Sequence, residues 1–108
     1  MLQRTPRFAE RVFTEAERSY CESRGVVAAQ HYAARFAAKE AALKALQTGW
    51  RGGISWHDVE VAAHDSGAPY LVLHGVAKEL LENLGATKVH LSMSHTAEHA
   101  IAEVLLEG

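Results

Sequence analysis

The sequence has a single cysteine, Cys21, so no intrachain disulfide is possible, and a reduced, intracellular location fits. No apolar run approaches the ~20 residues of a membrane span, and no signal-like apolar segment follows Met1, so no membrane association is expected. A net charge of −2 gives no bulk-charge reason to expect nucleic-acid binding. Repeats and low-complexity tracts are absent, and so is a Walker A loop. A phosphate ligand would therefore be held by side chains and a metal.

The 108 residues, 48% hydrophobic and 22% charged, make one soluble globular domain spanning 1–108. Thr14-Glu15-Ala16-Glu17 is a capping box that opens a helix over about 15–23, ending before Gly25. A long helix follows over about 28–47. Ser55 to Asp58 reads as a turn, and Val59 to Ala62 as a strand. Asp65-Ser66-Gly67 turns the chain into a second strand, Pro69 to His74. A helix over Val76 to Leu84 closes at Gly85. Lys88 to Ser94 alternates, with Val89, Leu91 and Met93 on one face and His90, Ser92 and Ser94 on the other. Ala100 to Leu106 is apolar enough to read as a central strand. The expected class is α+β: a small, mostly antiparallel sheet packed on one long helix and two or more shorter ones.

The stretch RFAAKEAALKALQTGW carries the chemistry. With Tyr32 set at zero, Phe36, Leu43 and Leu46 fall within about 40° of it, Lys39 lands inside that apolar stripe, and Glu40 sits about 80° round. Lys44 lies one turn beyond Glu40, so the two can pair. That pair is either an ordinary surface contact or a carboxylate beside an apolar stripe that needs a metal or lysine partner. Magnesium uses one or two carboxylates plus substrate phosphates, and a nearby lysine can neutralise those phosphates. The far side is Ala34, Ala37, Ala38, Ala41 and Ala42. It reads as a surface buried against a second protomer, or as alanine chosen for helix propensity.

Ser92-Met93-Ser94-His95-Thr96 gathers hydroxyls and an imidazole at a strand end, which suits a polar ligand or a solvated face. His95 and His99 have the i, i+4 spacing of a zinc pair on a helix but flank a turn. Cys21 has no local support as a nucleophile.

With PRFAERVFTEAE before it and GISWHDVEV, SGAPYLVLHG and HLSMSHT after it, this stretch resembles the holo-acyl-carrier-protein synthases, the short bacterial 4′-phosphopantetheinyl transferases. The resemblance runs from about Pro6 to Glu107. It implies a cytoplasmic enzyme of fatty acid and lipid biosynthesis. The reaction it implies is magnesium-dependent transfer of phosphopantetheine from coenzyme A to a serine of apo-acyl carrier protein, with release of 3′,5′-ADP. It further implies a homotrimer with sites at subunit interfaces.

Residue by residue, Glu40 matches the family's magnesium ligand and Lys44 its contact to the coenzyme A phosphates. Arg35 and His95 match residues near the nucleotide and its 3′-phosphate, and Ser94 and Thr96 belong to the same strand-end motif. Arg4, Arg7 and Arg11 match the basic segment that docks the carrier protein's acidic helix. Glu40 and Lys44 would then be shielded at the helix shoulder, and Lys39 would run its stem over the apolar stripe and carry its charge out.

Two departures stand out. The family opens on a strand with a G-x-D motif, whose aspartate is the second magnesium ligand. Met1 falls where the family is already within its first helix, roughly 15–20 residues on, about a strand and a turn. A late gene start, a shortened chain and a degenerate homologue each account for this. Gln47 replaces a glycine common before Thr48-Gly49. The alternatives to an active enzyme are a weak or inactive homologue that binds coenzyme A or carrier protein, and a structural assembly subunit.

Overall fold

Thr14 begins the second helix as its sequence predicts. The structure is a computed structural model that describes residues 6–46, 54–96 and 99–108. In it the elements run α1 (Pro6–Val12), α2 (Glu15–Glu22), α3 (Ala28–Ala45), β1 (Val59–Ala63), β2 (Pro69–Leu73), α4 (Gly75–Asn83), β3 (Lys88–His95) and β4 (Ala100–Glu107). Arg4, Gln47, Thr48 and Gly49 lie outside the described residues. At the start of α2, Glu17 N–H donates to Thr14 Oγ1 at 3.1 Å and Thr14 N–H donates to Glu17 Oε1 at 2.7 Å. Helix α4 closes as a Schellman motif: Ala86 N–H reaches Leu81 O, Gly85 N–H reaches Glu82 O, and Gly85 takes φ 77°. The elements read from the sequence do not include helix α1.

The class is α+β, as expected, and the strands form two antiparallel hairpins. Val61 pairs with Leu71 in the first and Leu91 with Val104 in the second. The expectation of a central last strand is not met. Among the described residues β4 pairs with β3 alone. Its residues alternate, with Ala102, Val104 and Leu106 turned inward, while Ile101 and Leu105 stay 64% and 67% exposed. Apolarity misled here because two outward positions are apolar too.

Helix α3 is the spine. Tyr32, Ala34, Arg35, Ala38, Lys39, Ala42 and Leu43 are all buried, which covers about half its circumference. Helix α2 and strand β1 pack on it, and so does the β3–β4 hairpin. Ala34, Ala38 and Ala42 therefore bury inside this chain, not against a second protomer. Small side chains let the hairpin approach the helix closely. Ala37 and Ala41 remain half-buried.

Lys39 also departs from expectation. It does not snorkel: it is 0% exposed, its Nζ lies 2.9 Å from Glu17 Oε1, and it donates to the carbonyls of Trp56 and Val59. Elements packed over the stripe close the route to water, so the ammonium finds its partners inside. Burial pushes its pKa down, and the Glu17 carboxylate opposes that shift.

Candidate functional site

The inward face of β3 ends on His95, which the two-residue alternation places on the same side as Leu91 and Met93, toward α3. There its ring meets His31 edge-on, with centroids 5.0 Å apart. His31 in turn meets Tyr20 at 5.7 Å. Arg35, one turn after His31 on α3, lays its guanidinium over the Tyr20 ring at 4.1 Å. Arg24 adds a second guanidinium at 4.9 Å from that ring and hydrogen bonds to Tyr20 Oη at 3.1 Å.

Arg35 is only 3% exposed, and its Nε has no hydrogen-bond partner. Among the described residues no carboxylate pairs with Arg24, Arg35, His31 or His95. A buried cationic group with an unused donor, ringed by further donors, is chemically suited to an anion. The protonation states follow from the same surroundings. Burial holds His31 below its ordinary pKa, and Arg35, His95 and Arg24 add to that. The Arg24 hydrogen bond holds the Tyr20 hydroxyl below its usual value, against the effect of burial.

Glu40 and Lys44 stand elsewhere. Both are exposed, contrary to the expectation that they are shielded. They also do not pair, since neither makes a hydrogen bond or ion pair among the described residues. The reason is angular. Lys39 takes the place in the stripe, and Glu40 falls just past the edge of the elements that cover α3. Arg35 is about 140° from Glu40 and about 180° from Lys44 around the helix, and Lys44 is about 14 Å further along its axis. One chain thus brings Arg35 and His95 together and turns Glu40 and Lys44 to the opposite side.

Of the remaining expected residues, Ser94 is exposed on the outward face of β3, away from His95. Thr96 Oγ1 accepts the His99 N–H at 3.1 Å and so braces the β3–β4 turn. Arg7 and Arg11 are exposed and lie on one face of α1, and Arg4 is outside the described residues. Cys21 is buried, and desolvation pushes its thiol up to about 11, with Glu17 and Glu22 adding to the shift and Arg35 opposing it. It is held as an inert thiol.

A model of the 4′-phosphopantetheinyl transferase superfamily matches residues 1–104. The chain belongs to this family. The holo-[acyl-carrier-protein] synthase of Koribacter versatilis is 50% identical over 101 residues, which cover 94% of this chain and 80% of that protein. Among solved structures, the holo-[acyl-carrier-protein] synthase of Neisseria meningitidis matches with a TM-score of 0.84 and 32% identity, over 99% of this chain and 85% of that one. The Bacillus anthracis enzyme, solved in complex with CoA (3′,5′-ADP), matches with a TM-score of 0.76 and 39% identity, over 94% and 80%. The membership accords with the motifs in the sequence. Composition and spacing do not single out Tyr20, Arg24 and His31, although the i, i+4 spacing of His31 and Arg35 was available as a signal.

Proposed function

We propose that this protein transfers the 4′-phosphopantetheine group of coenzyme A to a serine of apo-acyl carrier protein. The serine Oγ attacks the β-phosphorus, the bond from that phosphorus to the bridging oxygen breaks, 3′,5′-ADP leaves and the serine proton is released. The observation that carries this reading is the buried Arg35 guanidinium with its unused Nε, set among Tyr20, His31 and His95. It offers a phosphate a desolvated cation, where charge–charge attraction is strongest. Family membership supplies the chemistry of the group transferred.

Glu40 and Lys44 are the catalytic pair in this proposal. Glu40 is an exposed carboxylate with no ion-pair partner among the described residues, which suits a magnesium ion that keeps most of its water and shares substrate phosphates. Such an ion, when bound, neutralises charge on the phosphoryl oxygens. Lys44 is free to meet the same phosphates. Because Arg35 and Lys44 lie on opposite sides of α3, one ligand is best served by both sets if two copies of the chain meet over it. A homotrimer with sites between subunits is therefore part of the proposal, and the exposed Ile101 and Leu105 support self-association. The basic face of Arg7 and Arg11 is the carrier-protein contact, and the setting is cytoplasmic lipid biosynthesis.

Incubation with coenzyme A, magnesium and apo-acyl carrier protein tests this, with 3′,5′-ADP release and the carrier's mass gain as readouts. Coenzyme A binding without turnover would leave a binding protein only. No binding at all would remove the proposal.

A further inference from the structure

The side-chain cluster around Arg35 contains a group that family membership does not assign. His31 is half-buried on α3 and is faced by Tyr20 from α2, by Arg24 just beyond it, by Arg35 from its own helix and by His95 from β3. Two of these neighbours are permanent cations and one is a second imidazole. Among the described residues none is a carboxylate, so no fixed negative charge balances them. Burial and its cationic neighbours hold His31 below its ordinary pKa, so without an anion beside it the ring is largely neutral near pH 7. A doubly charged phosphate entering the pocket reverses that balance. It supplies negative charge, accepts a hydrogen bond from the His31 ring, and favours the protonated form of that imidazole.

We propose that His31 is a proton-linked binding residue for the phosphate monoester of coenzyme A, taking up a proton as the ligand binds. This deepens the reading above and rests on it. Binding then weakens as pH rises above 7 from the free-state towards the bound-state pKa of His31. The loss is up to about tenfold in Kd per pH unit for each linked proton. Above pH 7 the phosphate itself is already a dianion, since its second pKa is about 6. The pH dependence in that range therefore belongs to the protein.

Titration calorimetry decides this, using the full chain at pH 7.5 in buffers of different ionisation enthalpy. The ligands are coenzyme A and dephospho-coenzyme A, which lacks the monoester. The expected result is net proton uptake with coenzyme A and little with the dephospho form. His31→Gln, which keeps an N–H donor but does not titrate, should take up fewer protons and show a flatter dependence of Kd on pH from 7 to 8.5. Equal uptake with both ligands, no uptake with coenzyme A, or unchanged uptake in His31→Gln would each overturn the inference while leaving coenzyme A binding in place. Failure of coenzyme A to bind would overturn the coenzyme A reading itself.

Discussion

Lys39 Nζ and Glu17 Oε1 lie 2.9 Å apart with both side chains wholly out of solvent. Glu17 also accepts the backbone N–H groups of Thr14 and Val61, and Lys39 also donates to the carbonyls of Trp56 and Val59. Every charge-bearing atom of the pair is thus engaged by backbone or by its partner. Removing one member strands the other. Lys39→Met should destabilise the fold by about 3–5 kcal/mol, the usual cost of an uncompensated buried charge. Urea unfolding of the variant beside its parent measures this, and a loss under 1 kcal/mol would contradict it.

Glu60 links the same region to pH. Burial works to raise its pKa, but hydrogen bonds from the His74 ring at 3.0 Å and the Thr14 hydroxyl at 2.9 Å outweigh that, with the charges of His74 and Lys39 adding to them. The net direction is down. A carboxylate with a depressed folded-state pKa contributes stability above its unfolded pKa of about 4.3, and that contribution is lost as pH falls through the folded value. Glu60→Gln should flatten the fall of the urea midpoint between about pH 5 and pH 3. An unchanged slope would assign the acid sensitivity to other groups.

Glu40→Gln should abolish magnesium-dependent transfer and leave the fold alone. The side chain is exposed and makes no hydrogen bond or ion pair among the described residues, so the stability change should stay within about 0.5 kcal/mol. The amide keeps the shape and loses the charge that holds the ion. Rates of 3′,5′-ADP release at limiting magnesium check this, and turnover equal to the parent's would remove Glu40 from the site.

Arg7→Glu with Arg11→Glu should weaken use of the carrier protein and spare coenzyme A affinity. Both arginines are exposed on α1, and neither belongs to the cluster around Arg35. Rim charges chiefly steer encounter, so the loss should shrink as salt rises. Separate titrations with the two substrates test it. An equal loss for both would mean that α1 supports the pocket as well.

The elements with local signals were legible in the sequence. Thr14 and Glu17 mark α2, Gly85 ends α4, and Asp65-Ser66-Gly67 turns the first hairpin. Pairing across long separations was not legible. Lys39 fell at the right angle for the core, yet its partner is 22 residues earlier and two of its acceptors lie near residue 58, so only the folded chain shows that its charge stays inside. Glu40 erred the other way, because helical angle gives direction and not how far the covering elements reach. His95 was read as part of a strand-end motif. What gives it chemical meaning, His31 and Arg35, comes from docking of the hairpin on α3.

The Lys39–Glu17 pair also has a bearing on association. Val59 C=O and Val61 N–H point the same way, off the side of β1 that does not pair with β2. An acceptor and a donor in that order are what an incoming strand would read. Lys39 takes the first and Glu17 takes the second, so two side chains imitate one rung of a neighbouring strand. The charged imitation cannot propagate as backbone would. Intermolecular strand addition at that point would have to break a buried ion pair first, which makes this edge a poor template for aggregation.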